Sequence, residues 1–386
     1  MTVAERPTVP SATYERRIAA AADGAEEAGL GALLIGVGPD LRYLAGYEAM
    51  PLERLTMLAV VPGDDGVRLV VPRLELDAAR AGCRTELPID TWEETDDPHA
   101  RVAAFVADRV DHGAIRIAVS DRLWAAHLLR LQQAMPAATF EPASTVLRAL
   151  RMRKDPDEVA LLRLAAQAAD RVVAQISAGA LVGRTEADVA DEVRRRLIAE
   201  GHEHAEFAIV ASGPNSASPH HEASERVIRA GEPIVLDIGG QLSGYGSDVT
   251  RTLWVTGGDR AKGPDEEFRH LFGVLRAAQE RATAAVRPGV ACEAIDAAAR
   301  DLIAAEGYGE AFFHRTGHGI GLEGHEDPYL VAGNAEPLDE GMAFSVEPGI
   351  YLAGRYGARI EDIVVCGPHG PLPLNEAPRD LLVVDG

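Results

Sequence analysis

Cysteine is scarce in this chain. Cys83, Cys292 and Cys366 are the only three in 386 residues, too few and too scattered for a disulfide framework or a cysteine-ligated zinc site. Long apolar runs are missing as well: no window approaches the roughly 18 uninterrupted apolar residues of a membrane-spanning helix. The opening segment, MTVAERPTVPSATYERR, has no apolar stretch of the kind a secretory signal needs. Positive charge is in deficit, 38 Lys+Arg against 60 Asp+Glu, and the net charge of −22 makes a poor partner for nucleic acid or an anionic membrane. No glycine-rich phosphate loop follows the apolar runs of the first part of the chain, so a nucleotide site has no support. A hydrophobic content of 47% with 25% charged residues excludes disorder and leaves an ordinary globular chain, expected to be cytoplasmic.

A chain of 386 residues suggests two domains, at roughly 100–200 residues each. Residues 1–12, with Pro7 and Pro10, are expected to fray. Apolar residues then recur at helical spacing over 13–28, and Gly29 follows as a stop. The runs ALLIGV (32–37), LTMLAVV (55–61), VRLVV (67–71) and IRIAVS (115–120) read as strands bounded by Gly, Pro or Asp. They alternate with helical stretches near 73–81, 98–110 and 121–134, which implies a layered α/β domain with some parallel pairing. A boundary falls near 143–156, in a basic run from Arg148 to Lys154. Asp155 caps a helix there with Pro156 in its first turn. A second helix, 186–200, starts at Thr185. The expected division is therefore 1–145, a linker over 146–156, and 157–386. From about 208 the texture changes to strands and Gly-rich turns: IVLDIGG (234–240), SDVTRTLWVT (247–256), MAFSVEPGIY (342–351) and ARIEDIVVC (358–366), with helices near 264–286 and 292–306. Helices alongside antiparallel hairpins make this an α+β domain. Each half reads helix, helix, strand pair, a hint of internal repetition.

The strands of this second domain carry acids where acids are depleted. The period of two places Asp237 opposite Ile234, Leu236 and Ile238, and puts Asp248, Thr250 and Thr252 on one face. Glu347 opposes Val346. Arg359 and Glu361 share a face, with Ile360 and Asp362 on the other. Asp362 is expected to point away or form a salt bridge. Four carboxylates, Asp237, Asp248, Glu347 and Glu361, thus sit mid-strand among β-branched residues, where a buried carboxylate must be paired or bind metal. His318 accompanies them, with Gly317 and Gly319 letting the backbone bend closely around a small site. One histidine with four carboxylates is an oxygen-rich set that disfavours soft metals and suits Mn²⁺, Co²⁺ or Zn²⁺. Four negative charges balance two divalent cations. Without them, two carboxylates about 4 Å apart repel by roughly 4 kcal/mol at an effective dielectric near 20.

The pattern of D, ten residues, D, then H, E and E resembles the pita-bread metallopeptidases, and among them the Xaa-Pro aminopeptidase and Xaa-Pro dipeptidase (prolidase) branch. The strings that carry the likeness are SGPNSASPHH (212–221), LDIGGQLSGYGSDVTRT (236–252), HRTGHGIGLEGHEDP (314–328), VEPGIY (346–351) and GARIEDIVV (357–365). The N-terminal α/β domain resembles the creatinase-type N-terminal domain, without a motif of its own. The resemblance implies a pita-bread α+β catalytic domain behind a creatinase-type α/β domain. It implies that Asp237 chelates one metal through both oxygens, that Asp248 and Glu361 bridge two divalent ions, and that His318 and Glu347 complete the second. Mn²⁺ is the expected ion, Co²⁺ and Zn²⁺ the alternatives.

The implied reaction is hydrolysis of an Xaa-Pro bond, at the N-terminus of a peptide or in a dipeptide, by a hydroxide shared between the metals. Glu347 is expected to shuttle the proton. The resemblance further implies that His220 and His325 hold the substrate and stabilise the tetrahedral intermediate, that His314 lines the pocket, and that Tyr351 stands beside it. His221 is expected to be structural or exposed. Arg359, on the Glu361 face, is expected to orient a ligand carboxylate or a substrate terminus. Many microbial prolidases carry arginine just after the HExP string, and this chain has Tyr329 there, which leaves aminopeptidase and dipeptidase activity both open. Hydrolysis of a non-peptide amide or amidine on the same scaffold, as in creatinases, and a non-catalytic binding role are the other readings. A homodimer or tetramer is expected.

Overall fold

The computed structural model describes residues 7–110 and 115–386; the expectation for residues 1–6 lies outside them. Two compact units divide the chain, Thr8–Arg151 and Met152–Gly386.

The first unit runs α1 (Ser11–Glu27), β1 (Ala32–Gly36), α2 (Pro39–Ala45), β2 (Met57–Val60), β3 (Val67–Pro72), α3 (Leu76–Gly82), β4 (Ile89–Trp92), α4 (Pro98–Ala107), β5 (Arg116–Val119), α5 (Ala125–Ala134), β6 (Thr139–Pro142) and α6 (Ser144–Met152). Its sheet has the order β4-β3-β2-β1-β5-β6. Strands β1, β5 and β6 pair in parallel, as do β3 and β4, while β2 is antiparallel to both its neighbours. Strands β1 and β2 are buried at every position because helices cover both faces, which is why they read as unbroken apolar runs. One face packs Leu34, Met57, Val70 and Ile117 against Val102, Phe105 and Leu131 of α4 and α5. The segment expected to be a linker, 146–156, is helical as far as Met152.

The second unit runs α7 (Pro156–Ser177), α8 (Glu186–Ala199), β7 (His204–Ser212), β8 (Glu232–Leu242), β9 (Tyr245–Val255), α9 (Glu266–Ala285), α10 (Cys292–Ala305), β10 (Gly317–Gly319), β11 (Glu326–Leu330), β12 (Ala343–Val346), β13 (Gly349–Leu352), β14 (Tyr356–Arg359), β15 (Asp362–Gly367), β16 (Gly370–Pro373) and β17 (Leu382–Val384). Capping boxes start α7 (Asp155 with Glu158) and α8 (Thr185 with Asp188). Two larger sheets, β17-β9-β8-β7 and β11-β10-β12-β15-β16, each carry a helix pair. Leu236, Ile238, Val249 and Leu253 pack on Val172, Val173, Val189 and Val193 of α7 and α8. Phe344, Val346 and Val364 pack on Phe268, Leu271, Leu275 and Ile295 of α9 and α10. Fully burying each of these larger side chains contributes about 1.5–3 kcal/mol.

Two expected strands are broken, and the breaks matter for the site. MAFSVEPGIY is β12 up to Val346 and β13 from Gly349; ARIEDIVVC is β14 up to Arg359 and β15 from Asp362. Pro348 has no N–H to continue a ladder, so the chain leaves the five-stranded sheet there and forms the separate β13–β14 hairpin. Glu347 and Glu361 therefore stand at strand interruptions, not mid-strand, whereas Asp237 and Asp248 are mid-strand. Arg359 ends β14 and Glu361 lies beyond it, so the two do not share one continuous strand face.

Candidate metal centre

Strands β8 and β9 pair antiparallel with Asp237 opposite Thr250 and Gly239 opposite Asp248. Because Leu236, Ile238 and Val249 face the helices, Asp237, Asp248 and Thr250 must face the other way. The second sheet arrives on that side. Glu361 bridges to Thr250 through the backbone, its N–H donating to the Thr250 carbonyl at 3.1 Å, and the Thr250 hydroxyl donates to Glu361 Oε2 at 2.6 Å. Glu347 donates its N–H to the Thr316 carbonyl at 2.8 Å. His318 sits on β10 between Gly317 and Gly319. A Cβ at Gly317 would lie 1.9 Å from the Ser345 carbonyl oxygen, and one at Gly319 would lie 2.1 Å from that of Asp327. Only glycine permits so close an approach.

Ligand atoms of these residues form overlapping groups within 4.8 Å: Asp237, Asp248 and Glu361; His318, Glu347 and Glu361; and Asp248, His318 and His325. Asp237 Oδ1 and Glu361 Oε1 are buried with no hydrogen-bond partner. The His318 Nδ1–H donates to the Gly319 carbonyl at 3.1 Å, so the lone pair of Nε2 faces Glu347 Oε1 at 3.3 Å and Asp248 Oδ2 at 3.7 Å. Burial, reinforced by His325 and Arg315 nearby, pushes the His318 pKa down to about 3, so the ring is neutral. A neutral nitrogen and carboxylate oxygens facing one another without a cation would repel. Burial and the neighbouring carboxylates raise Asp248 and Glu361 well above the ordinary range, and burial takes Glu347 to about 7. Unpartnered oxygens, an imidazole lone pair and uncompensated negative charge all fit hard-to-borderline divalent cations.

Around this cluster lies a cavity of about 470 Å³, lined also by His220, His314, Arg315, His325, Arg359, Phe207, Ile209 and Pro219. Each of the candidate catalytic, metal-binding and substrate-binding residues lies in its wall except Tyr351, which is buried just behind it. The Arg359 guanidinium is paired with Asp237 Oδ2 and donates to Tyr351 Oη at 2.8 Å and Thr250 Oγ1 at 3.1 Å. The Tyr351 hydroxyl donates to His314 Nε2 at 3.0 Å, whose Nδ1–H donates to the Arg315 carbonyl at 2.7 Å. This chain of bonds fixes the proton positions from His314 to Glu361. Burial and Arg359 push His314 down to about 4, and burial lifts Tyr351 to about 12, so both are neutral at pH 7. The His325 ring lies beside that of His318, centroids 3.9 Å apart and planes tilted by 54°, and burial lowers its pKa.

Three buried acids hold the loops that carry these side chains, and the sequence pattern did not single out two of them. Glu186, at the start of α8, accepts from the backbone N–H and hydroxyl of Ser212, from Asn215, from His221 and from the N–H and hydroxyl of Ser224. It ties down the loop bearing Pro219 and His220, and gives His221 its structural role. Asp296 on α10 accepts from the N–H and hydroxyl of Thr316 and from Arg300, which itself donates to the Phe312 and His314 carbonyls. Asp362, expected to pair or point away, is fully buried and paired with Arg251 and Arg379. In sequence Glu186 and Asp296 look like helix-surface acids; nothing local marks their burial.

The fold and this cluster define a metallopeptidase, and the chain belongs to the family described as Metallopeptidase family M24, which matches residues 160–368. Residues 17–153 match the Creatinase/Prolidase N-terminal domain. Over 96% of its own length and of the relative's, the chain is 46% identical to a probable dipeptidase, PepE, of Mycobacterium bovis. It is 34% identical to an Xaa-Pro dipeptidase of Lactobacillus helveticus, covering 89% of this chain and 92% of that one. A crystal structure of prolidase from Thermococcus sibiricus superposes with a TM-score of 0.88 at 34% identity, over 96% and 99% of the two chains.

Proposed function

We propose that the protein is an exopeptidase that hydrolyses the bond between an N-terminal residue and proline, with Asp237, Asp248, His318, Glu347 and Glu361 holding two divalent ions. The observation that carries this reading is the convergence of four carboxylates and one neutral imidazole, with two buried oxygens left unpartnered, on the floor of a substrate-sized cavity. When bound, the ions supply Lewis acidity and lower the pKa of water. The chain's own residues do the rest. Glu347 accepts a proton at its carboxylate and returns it to the leaving nitrogen. His220 and His325 line the same cavity as the carboxylates and bind the substrate carbonyl as it gains charge. Arg359 holds Asp237 in place, with Tyr351 and His314 behind it as positioning residues. Phe207, Ile209 and Pro219 form an apolar wall suited to a proline ring. An Xaa-Pro bond has no N–H to offer a protein acceptor, and this wall asks for none. No observation favours the amidine-hydrolase reading.

Mn²⁺ is the expected ion, with a cytoplasmic homodimer as the expected state. The test is metal content per chain together with turnover of Ala-Pro and Ala-Pro-Gly, with Mn²⁺, Co²⁺, Zn²⁺ or chelator added. Two ions per chain and chelator-sensitive cleavage before proline are expected. Chelator-insensitive turnover, or a reconstituted protein that takes up no cation, overturns the reading.

A further inference from the structure

We propose that Arg315 is the anchor for the free α-carboxylate of the substrate, and that it makes the enzyme a dipeptidase rather than a trimmer of longer chains. This inference rests on the Xaa-Pro reading above. Two guanidinium groups line the cavity, and they differ in how fully they are engaged. Arg359 is buried and committed to Asp237, Tyr351, Thr250 and the Pro219 carbonyl. Arg315 pairs with no carboxylate among the described residues; its one polar side-chain contact is a long 3.5 Å approach to His325 Nδ1. Its guanidinium carbon instead lies 4.4 Å from the centroid of the Tyr329 ring, a cation–π contact that holds the plane without consuming its N–H donors. Tyr329 is itself fixed, opposite His318 in the β10–β11 ladder. A planar fork with all but one of its donors unspent, braced on an aromatic face in a cavity wall, matches a carboxylate.

The charge balance supports the same assignment. Four carboxylates balance two divalent ions, which leaves Arg359 and Arg315 as positive charge in the cavity wall; the Arg359 donors are already committed to Asp237, Tyr351 and Thr250, so Arg315 is the one placed to receive an added anion. A dipeptide brings one compensating negative charge at its C-terminus. A longer peptide places a neutral amide there and gains nothing from the fork.

The test compares holoenzyme turnover of Ala-Pro, Ala-Pro amide and Ala-Pro-Gly, and thermal shifts with L-proline and L-prolinamide, for the wild type, Arg315→Met and Arg315→Lys. The wild type is expected to favour Ala-Pro over its amide by about 30–100-fold in kcat/KM, the size of a desolvated charge-assisted contact. Arg315→Met should lose that factor on Ala-Pro, through KM, while its activity on the amide stays within about threefold. Arg315→Lys should recover part of it, since lysine keeps the charge but not the fork. L-proline, but not L-prolinamide, should raise the wild-type Tm, and Arg315→Met should abolish the difference. The proposal is overturned if the variant loses activity equally on all three substrates, or if the wild type does not distinguish acid from amide in turnover or binding. Absence of turnover on every proline substrate, with proline still discriminated from its amide, sinks the peptidase reading and leaves the anchor standing.

Discussion

Replacing Glu186 by glutamine is the sharpest probe of how the cavity is held together. The Glu186 carboxylate is fully buried, and each of its oxygens receives a backbone N–H: Oε1 that of Ser212 at 2.7 Å, Oε2 that of Ser224 at 3.2 Å. The hydroxyls of Ser212 and Ser224 and the His221 ring could reorient to accept from an amide; the two backbone N–H groups cannot. Whichever way the introduced amide turned, its NH₂ would meet a donor. Burial tends to raise the Glu186 pKa, but the hydrogen bonds from Ser224, Ser212 and His221 outweigh it and hold the value at about 2, against 4.5 for a free glutamate. At about 1.4 kcal/mol per pKa unit that difference stabilises the fold by roughly 3 kcal/mol near pH 7. The folded-state pKa lies below the unfolded one, so the contribution is full above pH 4.5 and is lost as the pH falls toward 2. For a unit of this size, roughly 3 kcal/mol corresponds to about 6–12 °C in Tm. Thermal melts of Glu186→Gln and wild type at pH 7 should differ by that amount, and the gap should close as the pH is lowered from 4.5. Since the loop bears His220, kcat/KM should fall as well. A variant melting within 1–2 °C of the wild type at pH 7, or a gap that persists unchanged into acid, would refute the argument.

Gly317→Ala sets a Cβ against the Ser345 carbonyl, and backbone cannot rotate out of the way; the variant should lose at least about 2–3 kcal/mol in denaturant titration and bind less metal. Asp248→Asn and His318→Ala should each reduce bound divalent cation below two per chain by elemental analysis, while far-ultraviolet circular dichroism stays unchanged. Asp296→Asn places an amide against Thr316 N–H and removes the charge facing Arg300, and should cost about 2–4 kcal/mol in stability.

The cluster was legible because its information is local. A period of two is a property of any strand, so placing Leu236 and Ile238 toward the helices already turned Asp237 the other way. The caps at Asp155 and Thr185 and the glycines beside His318 likewise act on their immediate neighbours. The short strands β4, β6 and β17 carry too few residues to show a period, and α2 is a seven-residue helix between glycines; none stood out. Pro348 was visible in the sequence, yet its consequence, two strands each divided between two sheets, depends on which neighbour the chain meets after the break.

What the residues by themselves determined is the kind of chemistry: a surplus of carboxylates among apolar strand residues, one glycine-flanked histidine, and the strand face that Asp237 and Asp248 occupy. What only the tertiary structure decided is which side chain completes which. Arg359 was expected to orient a ligand carboxylate or a substrate terminus, and only the fold selects Asp237, 122 residues away, as its partner. Glu361 takes its hydrogen bond from Thr250 across 111 residues. Glu186 and Asp296 become buried clamps because loops from elsewhere close over them. Contacts of that range exist only after two sheets have docked, and their partners are chosen by packing and by the need to satisfy every buried polar group.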